Sequence, residues 1–482
     1  MEKFGNAWSG RVEDQRLLRG AGRYTDDTAR PGGLHGVVLR SPHAAARIVS
    51  VDVAPALTLP GVVAAYTARD LAADGIGAMP CPVELPNRDG TPRQDPPHPV
   101  LADGMVRHVG DPVAFVVART LQAAADGAEA IGVEYEVADP VIDLLGAMED
   151  GQKLIWPDAR HNICFDWEIG DRARCDALFA GAAHVIRRRI VNNRVVVASM
   201  EPRAAAAEYD AGTERWTLTT NTQGVWLVRD LLAASVFKVD PARIRVITED
   251  VGGGFGMKAF LYAEHALTCY AARKLGQPVK WTSGRSEAFL SDTQGRDNIT
   301  FGELALDANG RFLALRSRNI ANMGAYLSTY GPYIPTLAGS KVLPSVYRFE
   351  AVYLNVLGVF TNTVPVDAYR GAGRPESNYL VERLVDAAAR ELGIDAVELR
   401  RRNMVTPAEM PYRTPVGETY DCGEFARVMD VALARIDRAG FAARRAEAAK
   451  RNRCRGLGFA YYLESTMGAP EERAEIRFAQ DG

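Results

Sequence analysis

In the N-terminal part of the chain, apolar positions come in short bursts. The runs at 36–40, 48–53, 62–66 and 112–117 read as strands, and 121–130 reads as a short helix. Ile131, Val133, Tyr135 and Val137 then alternate with polar residues, as in a half-buried strand. From 183 onward, strand-like segments at 183–192, 203–209 and 216–219 lead into a helical stretch at 225–237. A turn at Asp240-Pro241 and a strand at 244–248 follow. A helix is predicted over 258–275, closed by Gly276 and Pro278.

Further along, 301–307 and 312–319 flank the turn Ala308-Asn309-Gly310 and read as a β-hairpin. Leu380, Leu384, Val385 and Ala388 lie on one face of a helix predicted over 375–392. A helix at 425–436 and alternating strand-like residues at 456–479 complete the pattern. Six prolines between 81 and 100 exclude a helix or central strand there and predict a long exposed loop.

The chain has 482 residues, of which 47% are hydrophobic and 24% charged, enough for two to four domains. Strands and helices mix without strict alternation, so the expected class is α+β. A boundary is expected near 150, where Ala138-Asp139-Pro140 and Glu149-Asp150-Gly151 break the pattern, closing a first unit 1–150. The formal net charge of −3 supplies no basic field for nucleic acid. No apolar signal region opens the chain and no apolar run has bilayer-spanning length, so a cytoplasmic location is expected. None of the six cysteines pairs at C-x-x-C spacing, which points to reduced, mostly buried thiols and puts any iron–sulfur cluster on another chain.

Three turns carry candidate chemistry. In Glu249-Asp-Val-Gly-Gly-Gly-Phe-Gly-Met-Lys258, four glycines (Gly252, Gly253, Gly254 and Gly256) surround Phe255 between a strand and the predicted helix. Such backbone can approach a bulky ligand and turn N–H groups toward anionic oxygens; a tight strand-to-helix turn is the structural alternative. The spacing fits neither G-x-G-x-x-G nor a phosphate loop ending Gly-Lys-Ser/Thr. Gln223 follows a strand end and offers an uncharged donor and acceptor suited to an oxo group or carbonyl, or else serves as a cap or surface amide. Arg370, followed by Gly371, presents a guanidinium at the entry turn of the helix at 375–392, either to an anion or to a surface ion pair.

Together the runs Val251-Gly-Gly-Gly-Phe-Gly-Met-Lys258, Thr222-Gln223 and Ala368-Tyr-Arg-Gly-Ala-Gly-Arg-Pro-Glu376 resemble the molybdenum-binding large subunit of the xanthine dehydrogenase, aldehyde oxidase and carbon monoxide dehydrogenase family. Arg11-Val-Glu-Asp14, Arg40-Ser-Pro-His43, Met200-Glu-Pro-Arg203 and Arg401-Arg-Asn-Met404 extend the resemblance from about residue 10 to the end. It implies an α/β hammerhead-like domain at 1–150, then a first molybdopterin-binding domain at 151–410 and the start of a second at 411–482. The implied cofactor is molybdopterin, in its cytosine dinucleotide form, carrying molybdenum with oxo, sulfido and hydroxyl ligands.

The implied reaction is hydroxylation of an aldehyde or nitrogen heterocycle with oxygen from water. Electrons would leave through an iron–sulfur small subunit to an FAD-binding medium subunit. By the same resemblance, Gln223 bonds an oxo ligand, Gly253, Gly254, Phe255 and Gly256 form the cofactor loop, and Arg370 stands beside the metal, which is held through the pterin. Ala259 and Ala372 fall at substrate-pocket positions where purine-oxidising relatives carry acidic and aromatic residues, which argues against purines. Gly371 stands where copper-containing carbon monoxide dehydrogenases place cysteine, which argues against carbon monoxide.

The family's Gln-Gly-rich loop and the Gly-x-Gly-Glu segment with the general-base glutamate have no match, and neither Glu264 nor Glu376 fits that context. The expectation is therefore a chain truncated inside the second portion, with a separate chain supplying the remainder. The alternatives are a non-catalytic fragment with the family fold, or an unrelated α/β nucleotide-binding enzyme.

Overall fold

The strands run, in chain order, β1 (Leu34–Arg40), β2 (Ala46–Asp52), β3 (Val62–Thr67), β4 (Met105–Val106), β5 (Pro112–Ala118), β6 (Gly132–Val137), β7 (Ile163–Gly170), β8 (His184–Asn192), β9 (Ala204–Asp210), β10 (Arg215–Thr220), β11 (Ile244–Ile247), β12 (Val279–Thr282), β13 (Asn298–Leu306), β14 (Phe312–Gly324) and β15 (Ala351–Phe360), followed by the short pair β16 (Tyr412–Arg413) and β17 (Thr419–Tyr420). The computed structural model describes residues 10–28, 30–465, 474–476 and 478. A seven-stranded sheet has the order β11-β10-β9-β12-β1-β5-β3, and a five-stranded sheet the order β7-β15-β14-β13-β8. A small antiparallel sheet, β4-β2-β6, completes the N-terminal part. The seven-stranded sheet joins strands from before and after residue 150 through the parallel pair β1 and β12.

The helix Ala263–Leu275 lies over β9, whose four alanines, Ala204 to Ala207, leave the sheet face low enough for close approach. Trp216 seals that core and donates its indole N–H to the Cys269 carbonyl at 3.0 Å, so its one polar atom is satisfied. The helix Arg374–Leu392 covers the five-stranded sheet in the same manner. A Cβ on Gly302 would stand 2.4 Å from Leu380, so only glycine admits the helix at that distance. Leu380, Leu384, Val385 and Ala388 are all buried there, as the helical spacing predicts.

Three sequence expectations change. The helix predicted over 258–275 starts at Ala263; Met257–Ala259 form a single 3-10 turn and residues 260–262 are extended or irregular. Met257, Lys258, Phe260, Leu261 and Tyr262 are all buried, so packing rather than helical periodicity explains their apolar run. The six-proline segment is irregular as predicted but does not lie free in solvent. It runs beside the edge strand β7, with Arg88 N–H donating to Asp166 O at 2.7 Å and Gln94 N–H to Cys164 O at 2.8 Å, and it buries Cys81 and Leu85. It thereby covers an otherwise open sheet edge.

Residues 456–465 form no strand, while 466–473, 477 and 479 lie outside the described residues. The segment crosses the helix Arg374–Leu392, where Asn378 donates to Leu463 O at 3.1 Å and Glu382 accepts from Tyr461 N–H at 2.9 Å. Side chains thus satisfy the backbone groups a strand partner would have taken. Four cysteines are buried, and Cys422 and Cys454 are exposed. Among the described residues, no helix is long and apolar enough to cross a membrane.

Candidate functional site

Two of the three candidate turns leave the same end of the seven-stranded sheet because β10 and β11 pair in parallel, Trp216 opposite Ile244 through Thr219 opposite Ile247. Gln223 follows β10 and the glycine loop follows β11, the arrangement in which α/β sheets collect ligands at strand carboxyl ends. The backbone then locks them together. Gln223 N–H donates to Lys258 O at 3.0 Å, Thr222 Oγ1 to the same oxygen at 2.9 Å, and Gly256 N–H to Gln223 Oε1 at 2.9 Å.

Two glycines of the loop are required by this contact. A Cβ at Gly254 would fall 2.4 Å from Gln223 Oε1, and one at Gly256 would fall 2.9 Å from Ala368 O. Gly256 also has φ +100°, a conformation that side chains rarely adopt. Phe255 itself is left-handed at φ 53° and is 43% exposed, so the loop turns its large side chain outward.

The third turn joins the other two through the main chain. Arg370 N–H donates to Phe255 O at 2.8 Å. The turn is anchored from behind by Arg296, whose Nη1 donates to Tyr369 O at 2.9 Å and Nη2 to Arg370 O at 2.7 Å. Arg296 also stands 3.4 Å from Glu376, a buried carboxylate with neither oxygen hydrogen-bonded. Burial pushes the Glu376 carboxyl above its ordinary range, against the pull of Arg296. Gln223, the glycine loop and Arg370 therefore meet at one place. Ala259 packs nearby with Phe260, Tyr330 and Ala368. Ala372 is buried inside its own turn at φ 44°, with its N–H on Tyr369 O at 2.8 Å.

The groups left unengaged define the chemistry. Among the described residues, the N–H groups of Gly253, Gly254 and Phe255, the amide nitrogen of Gln223 and the Arg370 guanidinium make no hydrogen bond. Gln223 spends its acceptor inside the protein and turns out only a donor. Gln223, Phe255 and Arg370 are exposed, so the turns that meet here carry neutral and cationic donors at the surface, a set that suits oxygen-centred negative charge. The helix Ala263–Leu275 lends the glycine loop no dipole, because it begins beyond the buried segment.

Sequence reasoning missed the supports behind this surface. Glu201 Oε2 accepts from Gly252 N–H at 2.7 Å and from Lys258 Nζ at 2.9 Å, pinning both flanks of the glycine loop. Burial lowers the Lys258 ammonium below its ordinary value even beside this carboxylate. Arg203 donates to Glu264 at 2.7 Å and Asp292 at 2.6 Å while stacking over Tyr262 at 3.6 Å, and Arg40 reaches the other Glu264 oxygen at 2.5 Å. Burial raises the Glu264 carboxyl, but the two arginines outweigh it and hold the group below the usual carboxylate range, so Glu264 serves as structural glue. Glu201, Arg203 and Arg40 all fall in runs the sequence had singled out, which was the available signal; Arg296 had none.

Two family models match this chain. Residues 155–404 match the family model described as the molybdopterin cofactor-binding domain, and residues 19–139 match the aldehyde oxidase and xanthine dehydrogenase a/b hammerhead domain. The chain is 33% identical to the carbon monoxide dehydrogenase large chain of Afipia carboxidovorans over 97% of its own length and 59% of the relative's. It is 32% identical to the nicotine 6-hydroxylase large subunit of Paenarthrobacter nicotinovorans, over 95% and 55% of the two chains. The crystal structure of quinoline 2-oxidoreductase from Pseudomonas putida 86 superposes with a TM-score of 0.84 at 36% identity, covering 92% of this chain and 55% of that one. The chain thus spans a little over half the length of these relatives. Its α+β architecture, hammerhead region followed by cofactor-binding region, is the one the resemblance implied. The chain belongs to the molybdopterin-binding large-subunit family of the xanthine dehydrogenases and aldehyde oxidases.

Proposed function

We propose that this chain supplies the pterin-binding part of a molybdenum hydroxylase that oxidises a nitrogen heterocycle or an aldehyde, with water as the oxygen source. The observation that carries the reading is that the turns bearing the unengaged donors of Gln223, Gly253 to Phe255 and Arg370 are bonded to one another at the surface. Such a donor set fits the oxo ligands and phosphate oxygens of molybdopterin, in its cytosine dinucleotide form, and Gly254 and Gly256 admit the close contacts with Gln223 and Ala368 that hold the turns together. When bound, the cofactor supplies the two-electron oxidation chemistry that no side chain can provide. The chain's own residues bind and orient it: Gln223 Nε2 and the loop N–H groups donate hydrogen bonds, Arg370 offsets negative charge, and Phe255 shields one face from water.

No general base is assigned among these residues. Gln223, Phe255 and Arg370 are all exposed in this chain, so a further protein portion, on this or a separate chain, is proposed to close the site over the substrate. Ala259 and Ala372 are proposed to leave room in the substrate pocket, a role supported by their small size beside the cofactor turns. The relatives named for nicotine and quinoline support a heterocycle over a purine. Those named as large chain or large subunit support an iron–sulfur small subunit and an FAD-binding medium subunit as partners. The intervals between the two family segments and after the second support units 1–150, 151–410 and 411–482.

The test is to purify the chain from a host that makes molybdopterin and measure molybdenum and pterin per chain, then heterocycle-dependent dye reduction with and without partner subunits. Retained molybdenum and pterin support the reading, and turnover only with the partners identifies this chain as its cofactor-holding part. A chain free of both molybdenum and pterin overturns it.

A further inference from the structure

The face of the five-stranded sheet opposite the helix Arg374–Leu392 carries two adjacent cross-strand triplets. In one, Glu303 on β13 stands between Arg187 on β8 and Arg316 on β14. Its carboxylate accepts from both guanidinium groups, at 2.8 Å and 2.7 Å. Two residues along, the same three strands present Arg189, Phe301 and Arg318 in the same register. Here the centre is an aromatic ring. Neither Arg189 nor Arg318 makes an ion pair or side-chain hydrogen bond among the described residues; both are exposed, and Phe301 is 39% exposed.

These three residues line a groove of ≈ 650 Å³. It is bounded at one end by the helix Arg172–Ala180, packed on Ala305 and Ala314, and at the other by Val141 to Ala147, packed on Ile320 and Leu357. The rim arginines Arg88 and Arg172 already face carboxylates, Asp166 at 3.0 Å and Asp176 at 3.9 Å. The whole chain has a formal net charge of −3, so the excess of guanidinium groups here is local.

We propose that this groove is a docking surface for a glutamate-bearing segment of a partner protein, whose carboxylate sits over Phe301 and bridges Arg189 and Arg318 as Glu303 bridges Arg187 and Arg316. The neighbouring triplet proves that the spacing of β8 and β14 suits one carboxylate shared by two guanidinium forks. The Phe301 ring offers an apolar seat for the stem of that side chain. An exposed sheet face encloses too little of a small molecule to hold it, whereas a protein segment brings its own surface to cover the arginines. The inference is independent of the cofactor reading.

Fluorescence anisotropy with a labelled peptide of alternating glutamate and leucine, and its glutamine counterpart, tests the proposal. The glutamate peptide binds in a salt-sensitive manner and the glutamine peptide does not. Arg189→Glu and Arg318→Glu each weaken binding by about tenfold or more. Phe301→Glu supplies the bridging carboxylate from within, so it abolishes peptide binding and raises the thermal midpoint of the chain. Absence of salt-sensitive binding, or binding that the three substitutions leave unchanged, overturns the proposal. So does displacement of the peptide by free glutamate or benzoate at equal concentration, which would make this a small-carboxylate site.

Discussion

Lys258 and Glu201 form an ion pair at 2.9 Å from which solvent is almost excluded, and the same carboxylate oxygen accepts the Gly252 N–H at 2.7 Å. One acidic side chain thus fixes the start and the end of the glycine loop. Removing either partner strands a buried charge, so Lys258→Met and Glu201→Gln are each expected to cost about 3 kcal/mol, read from urea unfolding. The double variant Lys258→Met/Glu201→Gln should cost clearly less than the sum, because it leaves no unpaired charge. Strictly additive losses would show that the pair does not act as a unit.

The contact between Gly254 and Gln223 makes a second prediction. A methyl group at 254 cannot coexist with the glutamine amide at 2.4 Å, so Gly254→Ala expels that side chain and breaks the Gly256 N–H bond to it. The fold elsewhere is untouched, since both residues lie at the sheet end. Gly254→Ala is expected to lower molybdenum and pterin per chain about tenfold, with a loss of stability near ~1 kcal/mol for the one hydrogen bond. Cofactor content equal to the parent's would remove Gln223 and Gly254 from the site.

These two contacts also mark how far the sequence could be read. The glycine loop, Gln223 and Arg370 were legible because each is a local signal, a turn composition next to a periodic run. The first two meet through parallel pairing of β10 with β11, and Arg370 joins them through its N–H on Phe255 O, neither of which a local pattern specifies. The true start of the helix at Ala263 was hidden because Met257 to Tyr262 are apolar for burial and carry no capping residue that separates them from the helix. Lys258 falls at the first position of the predicted helix; its burial is matched by Glu201 from the loop before β9. Residues 456–465 alternate like a strand, yet side chains of the helix Arg374–Leu392 take up their backbone groups. What escaped was long-range pairing of charges and main chain, which composition and periodicity do not encode.

Arg296 is the clearest such case, and its role is testable without any cofactor. Its two donors hold Tyr369 O and Arg370 O at 2.9 Å and 2.7 Å, and the Arg370 N–H in turn reaches Phe255 O at 2.8 Å. Lysine keeps the charge but cannot span both carbonyls. Arg296→Lys is expected to speed hydrogen exchange of the Arg370 amide by about tenfold, the loss of one modest hydrogen bond's worth of protection. The thermal midpoint should move little. An unchanged exchange rate would mean the turn holds its shape without this clamp.

Asp367, at the start of the same turn, ties stability to pH. It is fully buried and accepts from Tyr330 N–H at 2.8 Å and Ala368 N–H at 2.6 Å. Burial pushes its carboxyl from 3.8 up to about 7, against the hydrogen bonds from Ser328, Tyr330 and Ala368. The folded chain therefore holds a proton that the unfolded chain releases between those values. Stability from this group is fully present below the unfolded value of 3.8 and is lost as pH rises toward about 7. The loss is roughly 4 kcal/mol at its upper limit, from the free energy per unit of pKa difference. An asparagine side chain cannot ionise, so Asp367→Asn should be least favourable relative to the parent at low pH and gain steadily on it as pH rises through about 7, measured as the difference in unfolding free energy. A difference that stays flat across that range would show that Asp367 remains ionised in the folded chain, held by its three donors rather than by its proton.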